Sequence, residues 1–221
     1  INQIGWIIKD ILYNLLRRKN RPDYETGLTD SFSGIDEVVA KYDRWTSDYD
    51  REHQENGWKI LLNHTVHAIA SQLSDNAEIL DVGCGTGLLG CELHSYGFNN
   101  LYGIDISEKS LNVARQLDVY RTVHRAELGQ PLDFPDSSFD ALISCGVFTR
   151  KQVPVNAFEE LIRILKPGGI LAVVLRVEDG GYYEGKLLEY CSAEMLTEVL
   201  RKRLEVLTSC RHDLLVLKKA L

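Results

Sequence analysis

The chain contains no apolar run long enough to cross a membrane as a helix, which takes about 20 residues. It also has no surplus of positive charge. Its 25 Lys and Arg face 32 Asp and Glu, a formal net charge of −7, which excludes general affinity for a nucleic-acid backbone as the basis of function. Cysteine is sparse and odd in number, five in all. Cys84, Cys91 and Cys145 lack the paired spacing of a metal site, so the thiols read as reduced and a cytoplasmic location is expected. No small-residue cleavage site is evident, so a secretory signal is not expected. His64 and His67 share a helix face without a third ligand near them, and no metal is expected. What remains is 221 residues of mixed charge with 44% hydrophobic residues, the composition of a soluble domain of ordinary size.

The first segment stands apart from the rest. Ile1, Ile4, Ile7, Ile8, Ile11, Leu12, Leu15 and Leu16 form one helical stripe, followed by Arg17, Arg18, Lys19 and Arg21 and closed by Pro22. One reading is a membrane-surface helix over residues 1–21, or a cleaved presequence. The preferred reading is a helix packed as a lid on the domain or on another subunit, its cations at the favourable C-terminal end. Asp10 and the lack of Ser and Arg along the stripe weigh against a presequence. The division expected is 1–34 for this helix and its loop, and 35–221 for the main domain. Tyr42, Trp45 and Tyr49 then recur at helical spacing, as core or as the wall of a pocket. A helix from Gly57 to Ser71 follows.

From Ala77 onward strands and helices alternate. Strands are expected at Glu78–Val82, Asn100–Ile106, Tyr120–Ala126, Phe139–Val147 and Ile170–Val177. Helices are expected at Leu88–Tyr96, Lys109–Leu117 and Asn156–Leu165, with a long one at Tyr182–Leu204. Two last strands, Leu204–Thr208 and Leu214–Lys218, should form a hairpin. Repeated βα units imply an α/β fold with a doubly wound, mostly parallel sheet, helices on both faces and one antiparallel strand near the C-terminus.

The organising stretch is Ile79-Leu80-Asp81-Val82-Gly83-Cys84-Gly85-Thr86-Gly87-Leu88-Leu89, a buried strand, a glycine turn and a helix start. The helix N-terminus offers free N–H groups to a ligand above the turn. In doubly wound sheets ligands bind beyond the carboxyl ends of the strands, where strand order reverses. Asp105, at the end of the second strand, can accept both hydroxyl hydrogens of a ribose there. The turn reads G-x-G-x-G rather than the G-x-G-x-x-G of dinucleotide folds. Asp81, just before it, would repel a pyrophosphate and favour a sulfonium with an amino group, or else hold the loop.

These residues resemble the class I S-adenosylmethionine-dependent methyltransferases. The likeness rests on Asp81-Val82-Gly83-Cys84-Gly85-Thr86-Gly87, Asp105, Phe134-Pro135-Asp136-Ser137-Ser138-Phe139-Asp140 and Leu165-Lys166-Pro167-Gly168-Gly169. Tyr42-Asp43-Arg44-Trp45 with Tyr49-Asp50, Leu128-Gly129-Gln130-Pro131-Leu132, and Gly146 with Gln152-Val153-Pro154 resemble the methyltransferase-like protein 27 group in particular. The resemblance implies a Rossmann-like fold with S-adenosylmethionine as cofactor. Gly83 and Gly85 would meet its methionyl part with Asp81, Cys84 and Gly87 beside them, Asp105 its ribose and Ile106 its adenine face. Arg125 stands where relatives carry an adenine-binding acid, so that role would pass to Glu127 or to the backbone from Ala126 through Leu128 to Gly129. Ser144, Cys145 and Gly146 would lie next to the methyl group, and Tyr42, Trp45 and Tyr49 would fold over the cofactor.

Methyl transfer from a sulfonium is an in-line displacement that needs alignment and a dry site more than a base. No catalytic dyad is conspicuous, and no catalytic residue is assigned. The fourth strand lacks the Asn/Asp-Pro-Pro-Tyr/Phe sequence that the family uses on amide or adenine nitrogens. The acceptor expected is therefore a small molecule, not nucleic acid, with Phe148, Arg150 and Tyr182 as further candidates for its pocket. The alternatives are a binding module of the same fold without catalysis, and an enzyme that uses the bound sulfonium for other chemistry.

Overall fold

The computed structural model describes residues 36–43, 58–150, 152–204 and 211–221, all within the compact unit Gly34–Leu221. Seven strands form one sheet: β1 (Ile79–Val82), β2 (Leu101–Asp105), β3 (Thr122–Arg125), β4 (Phe139–Cys145), β5 (Leu165–Arg176), β6 (Leu196–Leu204) and β7 (His212–Lys219). Their order is β3-β2-β1-β4-β5-β7-β6. The first five run parallel, and β7 pairs antiparallel with both β5 and β6. This is the mixed, doubly wound sheet that the alternating pattern implied. Strand order reverses between β1 and β4, the place where such sheets bind ligands.

A residue in a strand points to the face opposite its neighbour, and the core follows that rule. Leu80, Val82 and Leu142 face one layer, with α4 (Ala157–Ile164) and α5 (Val177–Ser192), through Phe158, Leu161 and Tyr183. Ile79, Ala141 and Ile143 face the other, where α1 (Trp58–Ala70) and α2 (Leu88–Ser95) supply Leu61, Val66, Ile69 and Leu93. Central strands covered on both faces read as continuous apolar runs. β1 is buried throughout, and so is β5 from Ile170 to Leu175. A shorter helix, α3 (Glu108–Ala114), runs into a 3₁₀ turn at Arg115–Leu117 and packs Leu111 and Ala114 on Cys84 and Val123. Among the described residues no helix is long and apolar enough to cross a membrane.

One element departs from expectation. The helix anticipated over Tyr182–Leu204 begins earlier, at Val177, and ends at Ser192; the remainder, Leu196–Leu204, is strand β6. Glu194 takes the left-handed conformation, φ 58°, and Met195 N donates back to the Tyr190 carbonyl at 2.9 Å. That is a glycine-type helix end built without glycine, so the local sequence carries no stop signal. Beyond it the helix-favouring residues Glu198, Arg201 and Lys202 yield to pairing with β7, tertiary context outweighing propensity. β6 is an edge strand, and these exposed charges guard its open side. Of the strand expected at Leu204–Thr208, Leu204 is the last residue of β6 and the remainder lies outside the described residues. Arg211-His212-Asp213, expected in the turn, contributes His212 and Asp213 to β7, where Asp213 forms an ion pair with Arg203.

Candidate active site

Where β1 ends, Gly83 and Gly85 adopt φ of 77° and 52°, a backbone that other residues resist. A Cβ on Gly83 would lie 2.2 Å from Val147, so the turn packs directly on the exit of β4. A Cβ on Gly85 would meet nothing within 4 Å. The backbone there borders open space, a surface that a ligand can approach closely. α2 begins two residues on, with Gly87 as its cap.

Asp105 closes β2 beside this turn. Its two carboxylate oxygens accept from Gly85 N at 2.9 Å and from Ser107 N at 2.8 Å, which fixes the plane of the group and leaves lone pairs toward the cleft. Burial raises its pKa, against the lowering effect of those backbone N–H groups. Ser107 caps α3 by accepting from Ser110 N at 3.1 Å and donates its hydroxyl to Asp43 at 2.5 Å. Lys109 adds a bond to the Asp43 carbonyl at 2.6 Å. These contacts tie the helical run 36–43 to the start of α3, and Tyr42 reaches the cleft from that run. Burial pushes the Tyr42 hydroxyl up to about 12, so it stays protonated at neutral pH.

Asp81 stands in a different place. It is 1% exposed and accepts from the Tyr120 hydroxyl at 2.7 Å, which in turn accepts from Gly90 N at 3.1 Å. Burial raises its pKa to about 7, against the lowering effect of the Tyr120 bond. Of the two roles open to it, the geometry supports the loop role: it ties the turn to the segment entering β3 and is not among the residues lining the cleft. Tyr120 had no signal beyond its place in a predicted strand.

The cleft holds about 830 Å³ of space, open solvent at its mouth included. Ten expected residues line it: Tyr42, Gly83, Gly85, Asp105, Ile106, Ala126, Glu127, Leu128, Cys145 and Gly146. Val38, Thr86, Ile104, Ser110, Val147, Gln152 and Val153 line it without having been singled out. Thr86 was legible inside the glycine motif; Gln152 and Val153 appeared only as part of a likeness, with no role.

Known proteins share parts of this sequence and this fold. Residues 80–173 match the methyltransferase domain family. Over 71% of its length the chain is 34% identical to methyltransferase-like protein 27 of Homo sapiens, spanning 66% of that protein. It is 33% identical, over 64% of its length, to 2-methyl-6-phytyl-1,4-hydroquinone methyltransferase of Synechocystis, spanning 52% of that protein. The chain belongs to the class I S-adenosylmethionine-dependent methyltransferases. A solved S-adenosylmethionine-dependent methyltransferase of Methanosarcina mazei shares the fold, with TM-score 0.57 and 20% identity over 70% of this chain and 97% of that one. The chain thus spans between half and two thirds of the curated relatives it matches.

Among the described residues of this methyltransferase domain, the expected Cys84, Gly87, Ser144, Phe148, Arg150 and Tyr182 do not line the cleft. Cys84 is buried against α3, and burial pushes its thiol up. Ser144 donates to the Val82 carbonyl at 2.9 Å, binding β4 to β1. Phe148 is 1% exposed and stacks on Phe158 at 4.7 Å, a core residue rather than a pocket wall. Arg150 lies over the Tyr182 ring at 5.3 Å, and neither lines the cleft. Trp45 and Tyr49 lie outside the described residues. Arg125 donates to the Ile106 carbonyl at 3.0 Å and so ties the end of β3 to the segment that follows β2. Glu127 is the acid that lines the cleft after β3.

Proposed function

We infer that this chain transfers a methyl group from S-adenosylmethionine to a small-molecule acceptor by in-line displacement. The observation that carries the reading is one cleft joining an open glycine backbone and a backbone-held carboxylate to an apolar wall at the exit of β4. S-adenosylmethionine, when bound, supplies an electrophilic methyl group on a sulfonium whose departure leaves a neutral thioether. Asp105 would bind the ribose hydroxyls, Gly83 and Gly85 the methionyl part, and Ile106, Ala126, Glu127 and Leu128 the adenine. Tyr42 would close over them and, with Val38, exclude water, which strengthens alignment as the source of rate.

A small-molecule acceptor is supported by the concave, largely apolar lining of the cleft and by the hydroquinone that the Synechocystis relative is named for. Residues 35–221 would be the methyltransferase domain, in keeping with the compact unit Gly34–Leu221. Cys84, Cys91, Cys145 and Cys191 are free thiols, which supports a reducing, cytoplasmic compartment.

The test is calorimetry of the folded chain with S-adenosylmethionine and S-adenosylhomocysteine, then transfer of a labelled methyl group to a panel of phenols and hydroquinones. Binding of both and label in a small molecule would support the reading. Binding without transfer across the panel would favour the non-catalytic module, and no binding would overturn the cofactor assignment.

A further inference from the structure

The β4 side of the cleft carries one polar group that the fold positions and then leaves without a partner. Gln152 N and Val153 N both donate back to the Thr149 carbonyl, at 2.9 and 3.1 Å, the bonding of a tight turn. Fully buried Tyr183 donates its hydroxyl to the Val153 carbonyl at 2.9 Å, and Phe148 anchors the approach by stacking on Phe158. The turn is thus held to the core on both sides of Gln152. The Gln152 side chain lines the cleft and is itself oriented, because the Tyr42 hydroxyl donates to its Oε1 at 2.8 Å. With the oxygen engaged, the planar amide fixes Nε2, which can only donate. That nitrogen is buried and has no hydrogen-bond partner among the described residues. An unpaired buried amide N–H is unfavourable, and an oxygen brought by a ligand would relieve it.

The chemistry of the surroundings narrows the ligand. The lining that includes this amide also includes the apolar Val38, Val147 and Val153. Its charged lining is acidic, Asp105 and Glu127, with no Lys or Arg among the described lining residues. Arg176, whose charge reaches Tyr42, is already paired with Asp179 at 2.9 Å, so a carboxylate acceptor would find little countercharge. A neutral amine could accept from Nε2 only with the lone pair it needs for attack. An oxygen has a second lone pair to spare. We propose that Gln152 orients the methyl acceptor by donating Nε2–H to its oxygen, and that the acceptor binds as an uncharged phenol or hydroquinone. Its proton passes to water at the open mouth of the cleft as the methyl group is received and the sulfonium leaves as a neutral thioether. This rests on the cleft being the cofactor and acceptor site.

Ligand-observed NMR on the full chain saturated with S-adenosylhomocysteine provides the test, with p-cresol and p-xylene as probes that differ by hydroxyl for methyl. In Gln152→Met the preference for p-cresol over p-xylene is expected to fall about three- to tenfold, the worth of one neutral hydrogen bond. Gln152→Leu should repeat the result, and both variants should bind S-adenosylhomocysteine within about threefold of wild type, the range of modest secondary effects. An unchanged preference in the variants, or no p-cresol binding by the loaded wild type, overturns the proposal. Failure of wild type to bind S-adenosylhomocysteine overturns the cofactor reading instead.

Discussion

The two sides of the cleft are built on different principles. On the β2 and β3 side, Asp105 is held by the N–H groups of Gly85 and Ser107, and Ala126 N donates to the Asp105 carbonyl at 2.9 Å. The groups offered there are main chain and one acid, and they follow strand ends wherever the sheet places them. On the β4 side the positioned group is an amide, Gln152, carried on a turn that Phe148 and Tyr183 anchor from the core. Recognition there depends on side chains packed from three separate elements. A site made of backbone suits a ligand shared by a family, and a site made of side chains suits one that varies.

That contrast can be broken from either side. The largest effect should come from Phe148→Ala, which empties a stacked position in the core and should cost roughly 3–5 kcal/mol of stability by denaturant unfolding. If stability held and only acceptor use fell, Phe148 would belong to the pocket after all.

Beneath both sides, Asp81 should give a stability change that depends on pH. Its pKa rises from 3.8 to about 7 on folding. An acid raised in this way binds a proton as the chain folds, so its contribution favours folding below pH 4 and fades as pH climbs toward 7. In Asp81→Asn that decline should disappear, and thermal unfolding from pH 4 to 8 should show the variant gaining on wild type by an amount on the order of a few kcal/mol at most. Parallel curves would show that Asp81 ionises normally.

Asp105→Ala should weaken S-adenosylhomocysteine by roughly 1–3 kcal/mol in calorimetry while leaving the p-cresol preference of the β4 side intact. Unchanged affinity would remove the ribose role. The smallest effect belongs to Arg150→Ala, which loses an exposed contact with the Tyr182 ring worth about 0.5–1 kcal/mol at most and should leave methyl transfer within about twofold. A large loss of transfer would return Arg150 to the acceptor pocket.

Much of the sheet was legible because its strands are short and separately punctuated. Gly83 to Gly87, Asp105 and the Lys166-Pro167-Gly168-Gly169 stop lie where local patterning carries information. The boundary between α5 and β6 was not legible, since Glu194 ends the helix without glycine or proline and β6 exists only through its pairing with β7. Tyr120 and Gln152 were silent for a related reason. Their partners, Asp81 and Tyr42, stand 39 and 110 residues away.

By itself the sequence determined the doubly wound fold, the glycine turn and the acid at the second strand end, because periodicity and turn chemistry act between near neighbours. Tertiary structure decided which residues face the cleft. It turned Asp81 to Tyr120, sank Phe148 into the core and left the Gln152 amide waiting for an oxygen. Direction and burial of a side chain are set by elements distant in the chain, and no local pattern encodes them.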